Sequence, residues 1–153
     1  MSVEVGSEAP DFTLRDENGE EVTLSSLRGH NVVLVFFPFA FSSMCTKELH
    51  TITGLGDRFG DAHAEVLGIS IDSPYALKAF KRDEGLSARL LSDFEPKGAV
   101  AEQYGAYLGD LGFATRATFV IDKDGKVAHT QVNSPAEERD QEEVLAALAA
   151  CPV

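Results

Sequence analysis

One cysteine lies where a helix is expected to begin, directly after an apolar strand. Residues 37–49 read FPFAFSSMCTKEL, so a strand ending at Pro38 is followed by a short loop and a helix. With Ser42 or Ser43 as the N-cap, Cys45 falls at the third or second helical position. Unpaired backbone N–H groups and the helix dipole favour negative charge there. Since the thiolate is the nucleophilic form of cysteine, Cys45 is a candidate nucleophile.

Ser42 stands three residues before Cys45, and its hydroxyl can both donate and accept hydrogen bonds. It could therefore donate to a thiolate or to an oxygen atom of a substrate. In the alternative interpretation, Ser42 only caps the helix and Cys45 only packs, as many free cysteines do. The residues alone leave both interpretations open.

The elements around this segment alternate between strand and helix. Val32–Phe37 and Val66–Ile71 are short apolar runs typical of strands buried on both faces. The other expected strands are 12–14 and 22–24, joined at Asp16-Glu17-Asn18-Gly19, and 118–121 and 126–130, joined at Asp122-Lys123-Asp124-Gly125. Helices are predicted from Ser43 towards Phe59, from Ser73-Pro74 to Gly85, from Ser134-Pro135 to about Ala150, and over 97–104.

This order predicts an α/β fold with a central mixed β-sheet flanked by helices and an N-terminal β-hairpin. A thioredoxin-like fold fits it, as would other open sheets. The 153 residues correspond to one domain, taken here as 1–153.

The bulk composition excludes several classes of function. The 13 basic and 25 acidic residues give a net charge of −12, which disfavours binding to nucleic acid and to anionic membranes. No apolar run approaches the ~20 residues of a membrane helix. The N-terminus MSVEVGSEAP does not resemble a signal peptide, so a cytoplasmic location is expected.

Further segments, spread over most of the chain, carry a family resemblance. They are Ala9-Pro10-Asp11-Phe12, Pro38-x-x-x-Ser42-x-x-Cys45 with Glu48-Leu49, Ser70-x-Asp72-Ser73 with Phe80, Leu91-Ser92-Asp93, and Arg116-Ala117-Thr118-Phe119-Val120-Ile121-Asp122. In this order they resemble the signature segments of the peroxiredoxins, which have a thioredoxin-like fold. The Phe-Phe-Pro-x-Ala-Phe run and Arg139-Asp140 are similar to the one-cysteine alkyl hydroperoxide reductase E subgroup. Serine at position 42 departs from the commoner threonine.

The resemblance implies a thiol peroxidase. Cys45 would attack the peroxide and become a sulfenic acid. Arg116 would stabilise the thiolate and the leaving oxygen, Ser42 would hold the peroxide, and Pro38 would shield the sulfur. Glu48 would either orient Arg116 or lie on the solvated face of its helix.

The same resemblance implies hydrogen peroxide, organic hydroperoxides and peroxynitrite as substrates, a homodimer, and no cofactor. His30, His50, His63 and His129 show no metal-ligand spacing, so no metal site is expected.

The second cysteine, Cys151, leaves the recycling step open. It could resolve the Cys45 sulfenic acid, or an external thiol could do so. We favour an external reductant resembling mycoredoxin with mycothiol, or thioredoxin.

Two other classes of protein would also use a reactive cysteine. A disulfide reductase needs a second cysteine three positions after the first, where this chain has Glu48. A peroxide sensor or redox-relay protein would use Cys45 in the same way but pass the oxidation to a partner.

Overall fold

The computed structural model describes residues 3–137 and 139–151 and shows a mixed sheet with helices on both faces. The seven strands of this sheet follow the order β2-β1-β5-β4-β3-β8-β9, and β6 and β7 form a separate pair. The strands are β1 (Thr13–Asp16), β2 (Glu21–Thr23), β3 (Asn31–Phe36), β4 (Ala64–Ser70), β5 (Arg89–Ser92), β6 (Tyr107–Leu108), β7 (Phe113–Ala114), β8 (Arg116–Ile121) and β9 (Val127–Asn133). The helices are α1 (Ser43–Gly54), α2 (Gly56–Asp61), α3 (Pro74–Glu84), α4 (Ala99–Gln103) and α5 (Gln141–Ala149).

Strand β3 forms the centre of the sheet. It runs parallel to β4 and antiparallel to β8, and every one of its six residues is buried. The continuous apolar sequence of β3 fits this position, because both faces of the strand contact core side chains. The register pairs Phe36 with Ala117, which brings the end of β3 beside the start of β8.

The two hairpins expected from turn sequences are present. Strands β1 and β2 pair antiparallel around Asn18-Gly19, and β8 and β9 pair antiparallel around Asp124-Gly125. Gly19 and Gly125 have φ values of 78° and 86°, a backbone conformation that favours glycine.

Helix α3 begins and ends as its sequence predicts. The Ser73 hydroxyl accepts the Ala76 amide, Pro74 occupies the first helical position, and Gly85 ends the helix in the left-handed conformation.

The prediction of one helix from Ser43 to Phe59 was wrong. Helix α1 ends at Gly54, Leu55 has non-helical dihedral angles, and α2 starts at Gly56. Glycine destabilises a helix interior by about 1 kcal/mol, and two glycines flanking Leu55 are enough to break the helix there.

The predicted start of the last helix at Pro135 was also wrong. Helix α5 begins at Gln141, and the Asp140 carboxylate caps it by accepting the Glu142 amide. The capping pattern forms only an isolated turn, in which the Glu137 amide donates to the Ser134 carbonyl. Glu138 lies outside the described residues. Pro135 and Arg139, which lie before α5, instead supply contacts to the interior that are described below.

Three strands were not predicted at all. Strand β5 pairs in parallel with β4, and the short strands β6 and β7 form a two-stranded hairpin. The short helix predicted over 97–104 corresponds to α4. Within 3–137 and 139–151, no helix is long and apolar enough to cross a membrane.

Candidate active site

The first turn of α1 carries Cys45. Ser42 is the N-cap residue, so Cys45 occupies the third helical position, and the Ser42 carbonyl accepts the Thr46 amide at 2.9 Å. The side chain of Cys45 has 0% exposure to solvent. The sulfur therefore lies beneath the surface at the positive end of a helix dipole.

Arg116 contacts this sulfur from the neighbouring strand. As the first residue of β8, it lies beside the end of β3, from which the chain continues into the loop before α1. Its Nη1 donates to the Cys45 Sγ at 3.3 Å and to the Glu48 Oε1 at 2.7 Å. Its Nε donates to the carbonyl of Pro135 at 2.7 Å, which fixes the orientation of the guanidinium plane.

Glu48 follows Cys45 by three residues and so lies on the same face of α1. The Glu48 side chain is only 2% exposed, which does not fit a residue on the solvated face of the helix. The Glu48 Oε1 accepts a hydrogen bond from Arg116. The Glu48 Oε2 accepts two hydrogen bonds from Arg139, one from its backbone N–H at 2.9 Å and one from its Nε at 3.0 Å. The carboxylate thus orients two guanidinium groups.

Arg139 also belongs to the site, although no role for it was predicted from the sequence. Its side chain is 1% exposed, and it donates to the carbonyls of Phe36 at 2.7 Å and Ala117 at 3.2 Å, and to the Thr118 hydroxyl at 3.0 Å. Burial lowers the pKa of Arg139 despite the neighbouring Glu48 carboxylate. The Arg139-Asp140 match to a subgroup was the one sequence signal for this residue.

The charged side chains beside the sulfur leave an excess of positive charge. Arg116 and Arg139 carry one positive charge each and Glu48 carries one negative charge, which leaves a net charge of +1 away from water. An unbalanced charge in the interior is costly, so negative charge that develops beside Arg116 during a reaction would be stabilised. The arrangement therefore suits a nucleophilic sulfur beside a fixed hydrogen-bond donor.

Pro38 and Ser42 lie in the loop between β3 and α1. Pro38 is buried, and Ser42 is partly exposed. The Ser42 hydroxyl donates to the carbonyl of Phe39 at 3.0 Å, so its proton is directed at the loop and not at the sulfur. To bind a peroxide oxygen as a donor, this hydroxyl must rotate away from Phe39.

A family model for the AhpC/TSA family matches residues 5–130. The chain belongs to this family. Alkyl hydroperoxide reductase E of Mycobacterium tuberculosis is 43% identical over 150 residues, which cover 95% of this chain and 98% of the relative. Peroxiredoxin Q of Oryza sativa subsp. japonica is 37% identical over 151 residues, covering 95% of this chain and 67% of the relative.

Solved peroxiredoxin structures superpose closely. Peroxidoxin BcpB from Mycobacterium tuberculosis matches with a TM-score of 0.87 and 35% identity, covering 99% of each chain. The reduced 2-Cys peroxiredoxin of Plasmodium vivax matches with a TM-score of 0.87 and 31% identity, covering 95% of this chain and 80% of that one. The chain is therefore a peroxiredoxin with a thioredoxin-like fold, and its enzyme class is thiol-dependent peroxidase.

The second cysteine of this peroxiredoxin lies away from the site. The Cys151 thiol donates to the Ala147 carbonyl at 3.4 Å, and a cleft beside it is lined by Arg58 and Asp61 of α2. Burial, together with the nearby Asp122 carboxylate, raises the pKa of Cys151. Asp122 directly follows β8, whose first residue is Arg116. The two cysteines thus have different neighbours: Cys45 lies beside Arg116, at the start of β8, and Cys151 lies near Asp122, which follows the end of that strand.

The remaining candidate ligands do not form a metal centre. In the part of the chain that the structure describes, no three His, Cys, Asp or Glu side chains are grouped as metal ligands would be. His50 and His129 each lie beside a glutamate instead, Glu84 at 2.9 Å and Glu143 at 3.2 Å.

Proposed function

We propose that Cys45 is the peroxidatic residue of this enzyme. The observation that carries the proposal is the 3.3 Å contact between the Arg116 Nη1 and the Cys45 Sγ, both buried and adjoining the Glu48–Arg139 pair. The Cys45 thiolate attacks one oxygen of the peroxide, and the O–O bond breaks as the S–O bond forms. The sulfur is oxidised to a sulfenic acid, and the leaving oxygen takes up a proton as water or an alcohol.

The neighbouring residues have distinct roles in this step. Arg116 stabilises the thiolate and the charge that develops on the departing oxygen, and its hydrogen bonds to Glu48 and Pro135 hold it in place beforehand. Ser42 binds the peroxide through its hydroxyl, and Pro38 keeps water from the sulfur. Glu48 acts through Arg116 and is a positioning residue.

The proposed substrates are hydrogen peroxide, organic hydroperoxides and peroxynitrite. A relative at 43% identity is named an alkyl hydroperoxide reductase. Phe39 and Phe41, in the loop before Cys45, are 39% and 52% exposed and provide apolar surface next to the site. Such surface favours peroxides that carry an organic group.

The sulfenic acid is proposed to be reduced by an external thiol, of the mycoredoxin and mycothiol type or of the thioredoxin type. Both thiols are free and have different hydrogen-bond partners, Arg116 for Cys45 and the Ala147 carbonyl for Cys151. Burial of Cys151 and its raised pKa also disfavour the thiolate that would attack the sulfenic acid.

We place the enzyme in the cytoplasm, with a role in redox homeostasis, and expect it to form a homodimer. Both cysteines are free, as is usual in a reducing compartment. The exposed side chain of Phe94 provides apolar surface of the kind that subunit contacts cover.

The proposal is tested by peroxide consumption with a thiol regenerating system, comparing the wild type with Cys45→Ser and Cys151→Ser. We expect sustained turnover for the wild type and Cys151→Ser, and none for Cys45→Ser. Mass spectrometry should find sulfenic acid on Cys45 after one equivalent of peroxide, and sulfinic acid on the same residue after an excess. Turnover by Cys45→Ser would overturn the assignment, and a disulfide to Cys151 within one chain would overturn external recycling. A single oxidation that persists until one specific partner is added would indicate a redox relay.

A further inference from the structure

Residues 38–42 form the cover loop, which connects β3 to the helix turn that carries Cys45. Ala40 of this loop packs against the buried cluster that includes Cys45. Because the sulfur has 0% exposure, a bulky reagent can reach it only after the chain around it moves. The contacts that hold the cover loop therefore control access to the sulfur.

Asp72 is the residue that ties the cover loop to the sheet. Its Oδ2 accepts the backbone N–H of Ala40 at 2.8 Å and the Ser70 hydroxyl at 2.6 Å. Its backbone carbonyl accepts the Ser92 hydroxyl at 2.6 Å. Asp72 thus joins the ends of β4 and β5 to a loop that lies 32 residues earlier in the chain.

The cover loop has a conformation that needs such support. Phe41 has a φ of 68°, a left-handed backbone conformation that is strained for a residue with a bulky side chain. The rings of Phe39 and Phe41 pack against Phe113 and Phe80, each with a centroid distance of 5.0 Å. Ring contacts are less directional than a hydrogen bond, so the hydrogen bond from the Ala40 N–H to Asp72 is the contact that fixes the position of the loop backbone.

We propose that Asp72 is a positioning residue that holds the cover loop closed over Cys45. By doing so it favours the reaction of the sulfur with peroxide and restricts the access of larger reagents to it. Closure keeps the sulfur in the geometry that reacts with a small peroxide, and it excludes larger thiol-reactive molecules. The peroxide part of this inference rests on the proposed function, and the exclusion of larger reagents does not.

The test compares Asp72→Ala and Asp72→Asn with the wild type in two assays. The first follows alkylation of reduced Cys45 by N-ethylmaleimide, resolved from Cys151 by mass spectrometry of peptides. The second follows oxidation of Cys45 by hydrogen peroxide in rapid-quench experiments, which suit a chain without tryptophan. Loss of one hydrogen bond to a charged acceptor changes an equilibrium roughly ten-fold. Asp72→Ala should therefore be alkylated about ten-fold faster, while its oxidation by peroxide should be slower than in the wild type.

Asp72→Asn keeps an oxygen acceptor of the same shape and should stay within about three-fold of the wild type in both assays. Asp11→Ala is the matched control, since the Asp11 carboxylate also accepts backbone N–H groups, from Phe12 and Ser25, but lies outside the site. Unchanged alkylation of folded Asp72→Ala, or an equal increase in Asp11→Ala, would overturn the proposal.

A second variant covers the case in which Asp72→Ala does not fold. Ser70→Ala removes only the hydroxyl that holds the Asp72 carboxylate, and it should increase the alkylation rate by a smaller factor. No increase in that variant would overturn the role of Asp72. If wild-type Cys45 is not oxidised by peroxide, the proposed function fails, and the alkylation assay still decides whether Asp72 closes the loop.

Discussion

The guanidinium group of Arg116 lies 3.3 Å from the sulfur of Cys45, and both side chains are buried. The residues are 71 positions apart in the sequence and meet because β8 pairs with β3, the strand that leads to α1. The contact is held from the other side by Glu48 and Pro135. The donor is therefore in place before a peroxide arrives, and no reorganisation is required of it.

Replacing Arg116 by lysine should slow the oxidation of Cys45 by about 100-fold, because lysine lacks the planar fork that contacts the sulfur, Glu48 and Pro135 together. The rate of Cys45 oxidation by hydrogen peroxide, measured in a single turnover, checks this. Arg58→Lys is the matched control, since Arg58 forms an exposed pair with Glu142. Equal rates for Arg116→Lys and Arg58→Lys would contradict the role of Arg116.

Replacing Glu48 by glutamine should destabilise the protein, because two buried guanidinium groups then lose their shared carboxylate. Breaking a buried ion pair costs about 3 kcal/mol, which corresponds to a melting temperature about 10 °C lower for a domain of this size. Thermal unfolding followed by circular dichroism measures this change. Glu142→Gln removes an exposed carboxylate and should melt close to the wild type; the same melting temperature for both variants would contradict the prediction.

Replacing Ser42 by alanine should slow peroxide oxidation of Cys45 by about ten-fold, the effect of one lost hydrogen bond to the substrate. Ser42→Thr keeps the hydroxyl and should retain most of the rate. Because the Ser42 hydroxyl also bonds Phe39, alkylation of Cys45 is measured in parallel to detect any opening of the loop. A normal oxidation rate in Ser42→Ala would exclude substrate binding by this hydroxyl.

Replacing Cys151 by serine should leave the first oxidation of Cys45 unchanged, because Cys151 lies beside residues of α2 and near Asp122, and not beside Arg116 or Glu48. Its raised pKa means that less thiolate is present at neutral pH. Its alkylation should therefore accelerate on going from pH 7 to pH 9, as peptide mass spectrometry can show. A slower first oxidation of Cys45 in Cys151→Ser would contradict the separation of the two sulfurs.

Removing Arg89 should reduce stability at neutral pH more than at low pH. Burial acts to raise the pKa of Asp16. Hydrogen bonds from the backbone N–H groups of Glu20 and Asn18, together with the Arg89 guanidinium, outweigh burial and lower that pKa. A carboxyl with a lowered pKa stabilises the fold above its unfolded-state pKa, and this contribution is lost as pH falls through the folded-state pKa. Urea unfolding of Arg89→Met and the wild type should therefore converge in acid, and a constant difference across pH would contradict the mechanism.

Short-range signals in the sequence account for much of the fold. The Ser73-Pro74 start of α3, its Gly85 end and the turns at Asn18-Gly19 and Asp124-Gly125 depend on neighbouring residues, and the structure has each of them. Strand β5 was missed because its place in the sheet depends on β4 and β1, which are distant in sequence. The late start of α5 has the same origin, since a local capping pattern competes with the contacts that Pro135 and Arg139 make with distant residues.

The site also contains residues that the sequence indicated and one that only the structure shows. The spacing of Ser42 and Cys45 before a helix indicated the sulfur, and family resemblance indicated Arg116. Nothing local distinguishes Arg139 from a surface arginine, yet its side chain contacts Glu48, Phe36 and Thr118 in the interior. Such a position follows only from the packing of β3, β8 and α1 around it.

The separate surroundings of the two sulfurs determine what a non-reducing gel can report. A disulfide from Cys45 of one molecule to Cys151 of another would link two polypeptides, whereas a disulfide within one chain would leave the mass unchanged. A band at twice the mass of 16.5 kDa would then mark contact between neighbouring molecules during oxidation. Electrophoretic mobility thus becomes a measure of encounters between chains.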